Sequence, residues 1–212
     1  MIPWCLGFGN WGFSSALADE PFRVEVDFSQ APECEAFAAK AKTLCEEWYP
    51  RINEILYSKE SPLPYKVVTI RFEHFDGVAD TSGNRIRISA DWIKKQPKDY
   101  GMVIHELVHV VQHYQGGVGW LTEGIADYVR YERFEPGKQK WNIDPDKSSY
   151  RQGYGVAGAF LAWMEKTKDP ELVHKLNVAL RENRYSPQLF QKFCGAGVGD
   201  LWLEFADTLR KK

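Results

Sequence analysis

Cysteine is scarce in this 212-residue chain, with four residues, Cys5, Cys34, Cys45 and Cys194, and no C-x-x-C pair. That spacing excludes a metal knuckle built from thiolates. Cys34 and Cys45 fall in one helix-like segment and would stand roughly 16 Å apart on a helix, out of disulfide reach. A bridge from one of them to Cys194 and buried free thiols remain equal alternatives. Charge of one sign is also missing: Lys and Arg number 27 against 29 Asp and Glu, a net charge of −2. No broad basic field therefore invites nucleic acid or anionic lipid. After Asp19 no apolar run approaches the length of a bilayer span. Internal repeats, low-complexity tracts and N-x-S/T sequons are absent. With 44% hydrophobic and 26% charged residues, the composition is that of a globular chain rather than a disordered one.

Aromatic residues are plentiful at 14%, with eight Trp. They serve either the core or a ring-lined cleft for peptide or glycan. Residues 1–18 carry no charge, and Ala16-Leu17-Ala18 before Asp19 has the form of a signal-peptidase site. Lacking a basic start, this segment reads as an imperfect export signal, for a secreted or periplasmic protein, or else as a disordered extension. Residues 19–212 read as a single domain with lobes of about 19–115 and 116–212.

Periodicity divides that domain. Phe22 to Phe28 alternates apolar and charged residues, as a half-buried strand does. Phe37, Ala41, Leu44, Trp48, Ile52 and Ile55 form one stripe of a long amphipathic helix, which Pro50 is expected to kink or divide. A β-branched strand follows over residues 65–72, then a polar turn over Asp80–Asn84 and a short alternating run, Arg85-Ile86-Arg87-Ile88-Ser89. From about residue 97 the period becomes helical. Helices are expected near 98–115, 121–134, 151–167, 169–182, 186–194 and 198–210, with a surface loop from Glu135 to Ser149. The fold class is α+β: a small mixed sheet with one long helix in front, and an all-helical rear.

The chemistry lies at the junction, in His105-Glu106-Leu107-Val108-His109. Residues four apart share a helix face, so both imidazoles can reach one ion. Glu106 lies about 100° around the helix, beside the ion, where its carboxylate can take a proton from water held there. A tetrahedral catalytic zinc wants a third protein ligand and an open position. The continuation H-x-x-G-x-x-H fails, because Gln112 and Gln115 stand where Gly and His would be required. Glu123, in Trp120-Leu121-Thr122-Glu123-Gly124-Ile125-Ala126-Asp127-Tyr128, can point back from a second helix. Asp127, one turn later, can accept the spare N–H of a ligand histidine. Gly116, Gly117 and Gly119 would permit the reversal between the helices. His113 could extend the ligand face, but a solvated or supporting role fits the helical drift better.

The run HELVHVVQHY followed by WLTEGIADYVRY resembles the gluzincin peptidases, and within them the basic secretory protein family of plants and bacteria. Residues 77–89 (GVADTSGNRIRIS) and 153–157 (GYGVA) share the resemblance, which spans most of 20–210. It implies a zincin-like fold with one catalytic zinc ion, His105, His109 and Glu123 as its ligands, and Glu106 as general base. It also implies an edge strand along the cleft, by position Arg85 to Ser89, to which an extended peptide or protein substrate adds. The slightly acidic balance departs from the plant members. An oxyanion formed during hydrolysis needs a further donor; Tyr154 is the candidate, with Tyr128 and Arg151 as rivals. The favoured activity is that of an exported endopeptidase acting as a monomer. An aminopeptidase of the same fold and a catalytically silent secreted module compete with it. No motif for a substrate's free amine precedes HELVH, which favours the endopeptidase, and Glu106 is present, which speaks against the silent module.

Overall fold

The computed structural model describes residues 22–138 and 142–211; the expected export signal and Cys5 lie outside them. Among the described residues the fold is mixed α+β, with a four-stranded sheet and eight α-helices. The strands are β1 (Arg23–Asp27), β2 (Val67–Glu73), β3 (Ala79–Ser82) and β4 (Arg85–Ser89), in the spatial order β1-β2-β4-β3. β1, β2 and β4 are parallel, while β3 returns antiparallel to β4 through Gly83 and Asn84. Gly83, at φ +62, supplies the left-handed residue that this tight hairpin needs.

Alternation decides which face is covered. Val68, Ile70, Phe72, Ile86 and Ile88 are buried on one side, each contributing about 1.5–3 kcal/mol on leaving water. The other side carries a mesh of charge in which Arg87 pairs with Asp80 at 2.6 Å and Arg71 with Asp27 at 3.4 Å. Helix α1 (Glu35–Leu56) packs beside β1 and against α3 (Tyr100–Gln112). Pro50 does not divide α1, which runs through it unbroken. Pro50 is exposed, so the carbonyl left without an N–H donor can accept a hydrogen bond from a water O–H instead. Between sheet and α3, the short helix α2 (Ala90–Lys95) starts at Ser89, whose hydroxyl caps Trp92 N–H at 3.3 Å.

Two strand expectations require correction. Arg85–Ser89 is not the edge of the sheet but an inner strand, paired on both sides. The edge on the α3 side is Ala79–Ser82, which overlaps the Asp80–Asn84 segment expected to turn; β1 is the opposite edge. The small polar residues of Ala79–Ser82 conceal a strand because one side opens on the cleft and Asp80 faces outward to Arg87.

Helix α3 is buried along nearly its whole length, which suits its mean apolar character. Asp99 caps its start by accepting from Met102 N–H at 3.2 Å. His113 ends it in the left-handed conformation, φ 43. The reversal into α4 (Gly119–Tyr128) thus turns on His113; Gly116, Gly117 and Gly119 have no positive φ. A π-helical stretch, Val129–Phe134, continues α4. The rear of the molecule is α5 (Tyr154–Thr167), α6 (Leu172–Arg181), α7 (Gln188–Cys194) and α8 (Val198–Arg210). One hydrophobic core joins front and rear.

Helices α4 and α5 cross at glycine. A Cβ on Gly124 would lie 2.7 Å from the Ala157 Cβ, and one on Gly158 would lie 3.1 Å from the Tyr128 nitrogen. This close approach fixes α4, and with it Glu123 and Asp127, against the rear helices. Cys34, Cys45 and Cys194 are all free thiols, so no bridge links the first two to Cys194. Among the described residues no helix is long and apolar enough to cross a membrane.

Candidate active site

A cleft of about 890 Å³ opens where β3, α3, α4 and the start of α5 meet. His105 and His109, one turn apart on α3, turn their Nε2 atoms toward each other at 3.2 Å. Glu123 enters from α4, its Oε2 at 3.2 Å from His105 Nε2 and 3.5 Å from His109 Nε2. A tetrahedron around an ion with bonds of about 2.0–2.1 Å has edges of about 3.3–3.4 Å, so the three donors are spaced as ligands of one small cation would be. One donor atom from each of these residues lies within 4.8 Å of the others.

The protons support the same arrangement. His105 Nδ1 lies 2.7 Å from Asp127 Oδ1, a carboxylate that can only accept when ionised, so the ring donates from Nδ1. His109 Nδ1 lies 2.7 Å from Gln112 Oε1, and the Gln112 amide is oriented by its own donation to the Thr122 carbonyl at 2.9 Å. Both imidazoles are therefore held with Nδ1 protonated and the Nε2 lone pairs convergent. Neutral lone pairs do not attract each other; they call for a cation between them.

In the metal-free protein a proton fills that role. Burial disfavours the His105 imidazolium, but hydrogen bonds to Asp127 and then Glu123 outweigh it and raise the pKa to about 9. Burial would raise Glu123, yet His105 and His109 bring it down to about 2. His105, Glu106 and Asp127 are 8%, 7% and 5% exposed, and buried charges of this kind persist only when paired or bound to metal.

Glu106 sits beside the donor triad. Its Oε2 accepts from the Thr81 hydroxyl at 2.7 Å, which places edge strand β3 in direct contact with the carboxylate. Tyr154 opens α5 in the left-handed conformation, φ 44, after Gly153 at φ 73. A bulky residue rarely adopts such a backbone, at a cost on the order of 1–3 kcal/mol. Its ring lies parallel to His105, centroids 6.0 Å apart, and the residue is 57% exposed to the cleft. The charge of Glu123, followed by burial, holds the Tyr154 hydroxyl above the ordinary tyrosine range, so it remains a donor. The rivals point elsewhere: the Tyr128 hydroxyl is engaged by Glu165 and Arg133, and Arg151 stacks on Tyr150 at 5.4 Å.

His105, His109, Glu123, Asp127, Glu106 and Tyr154 thus come together in one cleft, and Arg85 to Ser89 do not line it. Two contributors escaped sequence reasoning. Gln112 lies three residues after His109, a spacing that puts the two on one helix face. Thr81 lies in a segment without periodicity, and although residues 77–89 share the resemblance, nothing in them singles it out. His113 reaches Tyr65 at 2.9 Å rather than the donor triad.

Comparisons with curated proteins and with solved structures return no match. A family model described as peptidase of plants and bacteria (BSP) matches residues 29–205, which include the whole donor triad, Glu106 and Tyr154. The chain belongs to this family of peptidases of plants and bacteria.

Proposed function

We propose that this chain is a zinc-dependent endopeptidase of the gluzincin type, with a zincin-like fold in which His105, His109 and Glu123 hold one zinc ion. The convergence of two Nδ1-tethered imidazoles and one carboxylate, spaced as tetrahedron edges beside Glu106, carries this reading. When bound there, zinc supplies Lewis acidity toward a peptide carbonyl and brings the ionisation of water toward neutrality.

The remaining work falls to side chains. Asp127 and Gln112 keep the two rings in the tautomer that leaves Nε2 free. Glu106 accepts the proton of the attacking water and delivers it to the leaving amine. Thr81 donates to one carboxylate oxygen of Glu106, which lines the cleft. Tyr154 donates to the oxygen on which negative charge develops. The free side of β3 offers unpaired backbone groups, so an extended peptide can add there as a further strand and present one carbonyl to the donor triad. Ala16-Leu17-Ala18 before Asp19 supports export of the domain that follows.

Digestion of a peptide library tests this reading. Purified protein should cut internal bonds, lose activity to a chelator and regain it with zinc. Reproducible absence of cleavage in the zinc-loaded protein would instead favour a silent binding module, and trimming of single N-terminal residues an aminopeptidase.

A further inference from the structure

A second recess, of about 270 Å³, opens beside the donor triad and shares Thr81, His109 and Tyr114 with the main cleft. Its other walls are Tyr65, Gly83, His113 and Gln115. The rings of Tyr65, His113 and Tyr114, with His109 on the side of the donor triad, surround a space suited to one side chain, at the Gly83 end of the edge strand.

Each of Tyr65, Tyr114 and His113 has a hydrogen-bond partner, Tyr65 through its backbone and hydroxyl and the other two through their side chains. The hydroxyl of Tyr49, which is fully buried, accepts from the Tyr65 backbone N–H at 3.0 Å and donates to the Tyr65 carbonyl at 3.3 Å. That clamp holds Tyr65 just ahead of β2, where no strand partner does so. The Tyr114 hydroxyl donates to buried Asn177 at 2.6 Å, and Asn177 in turn donates to the Leu56 carbonyl at 2.8 Å. His113 stands at right angles to Tyr65, centroids 5.0 Å apart, with its Nδ1 at 2.9 Å from the Tyr65 hydroxyl. Its left-handed backbone, φ 43, is a strained conformation retained at the rim of the recess. Gly83 keeps the entrance low, since a Cβ there would meet the Tyr65 hydroxyl at 3.4 Å.

From this arrangement we infer that the recess is a specificity subsite for an aromatic side chain of the peptide substrate. It would be filled by the residue at one fixed position beside the scissile bond. Preset aromatic walls bind a planar ring by edge-to-face contact without first being ordered themselves. The Tyr65–His113 pair leaves a polar margin that tolerates a tyrosine hydroxyl or an indole N–H. This inference rests on the peptidase reading, and concerns which peptides are chosen rather than how they are cut.

The test uses capped, alanine-rich hexapeptides in which a single Phe is moved through each position. Cleavage by zinc-loaded wild-type protein and calorimetric binding to zinc-loaded Glu106→Gln should both favour Phe over Ala at one position, by about tenfold or more. That ratio should fall to within about threefold in Tyr65→Ala and in His113→Gly. The glycine variant suits the left-handed backbone, so it keeps the fold if Tyr65→Ala does not. Cleavage without positional preference, or a preference that survives both substitutions, overturns the subsite and leaves the peptidase standing. If the wild type cuts nothing, yet Glu106→Gln binds Phe over Ala in a manner that His113→Gly abolishes, catalysis fails and the subsite stands. Absence of the preference in both cleavage and binding removes the subsite.

Discussion

The Thr81 hydroxyl donates to the Glu106 carboxylate at 2.7 Å, tying the free edge of the sheet to the residue assigned as general base. The two are 25 positions apart in sequence, one on β3 and the other on α3. The ladder to β4 positions the strand, and this contact links it to the carboxylate; the same hydroxyl also lies 3.1 Å from the Glu106 backbone carbonyl. A hydrogen bond to a charged acceptor is worth about 1.5–3 kcal/mol, enough to matter if the carboxylate must hold one rotamer.

Thr81→Val keeps the shape of the side chain and removes the donor. It should lower kcat by roughly ten- to a hundredfold while KM changes less than about twofold, and Thr81→Ser should recover most of the loss. Steady-state kinetics on the three proteins measure this. A rise in KM at unchanged kcat would assign Thr81 to substrate binding alone.

Glu106→Gln should retain zinc at one equivalent per chain and lose turnover by several orders of magnitude, since general-base catalysis and correct proton delivery disappear together. Metal analysis and kcat on the same sample decide it. Zinc-replete Glu106→Gln with wild-type turnover would remove the base assignment.

Much of this site was legible in the sequence because its parts follow helical geometry. His105 and His109 had to share a face of α3 once a helix was granted, and Glu123 and Asp127 had to share one of α4. What remained hidden depends on contacts between elements. Ala79–Ser82 has no alternation of apolar residues, so its place at the sheet edge is set by pairing to β4 and by Thr81 reaching Glu106. Arg85–Ser89 is expected at the edge only by its position within the resemblance, and the alternation that its arginines give fits an inner strand as well. The arginines are exposed on a face of the sheet rather than along its margin. Pro50 suggested a break that a solvent-facing position made unnecessary. Glycine spacing pointed to the wrong pivot between α3 and α4, since a histidine holds the left-handed turn.

The pH response should have opposite signs with and without metal. In the metal-free protein His105 has a folded pKa of about 9, above its ordinary 6.5. Its stabilising contribution is therefore complete below about 6.5 and is lost as pH rises through about 9. Glu123, lowered to about 2 from 4.5, contributes above about 4.5 and loses that contribution as pH falls toward 2. The metal-free Tm should thus decline between pH 6.5 and 9. Zinc must displace the His105 proton, so its apparent affinity should rise up to about tenfold per pH unit over the same range. Calorimetric titration in two buffers of different ionisation enthalpy should register about one proton released at pH 7.

Gly124→Ala sets helix propensity against packing. Alanine gains about 1 kcal/mol in a helix interior. The new Cβ, however, would lie 2.7 Å from the Ala157 Cβ and 3.4 Å from the Ala157 backbone carbon, neither of which can swing away. Overpacking of this kind costs about 1–3 kcal/mol, so a net destabilisation is expected, with a Tm lower by a few degrees. Zinc affinity should fall as well, because the adjacent Glu123 is displaced. A thermal melt and a zinc titration check both effects.

Zinc titration of the metal-stripped protein, with peptide cleavage read at every addition, bears most directly on the two imidazoles and one carboxylate acting as a catalytic centre. Cleavage should begin from zero, rise in proportion to bound zinc and level off at one equivalent, and Glu123→Ala should show neither tight binding nor cleavage at that ratio. Cleavage by the stripped protein, or full cleavage in Glu123→Ala, would contradict the account.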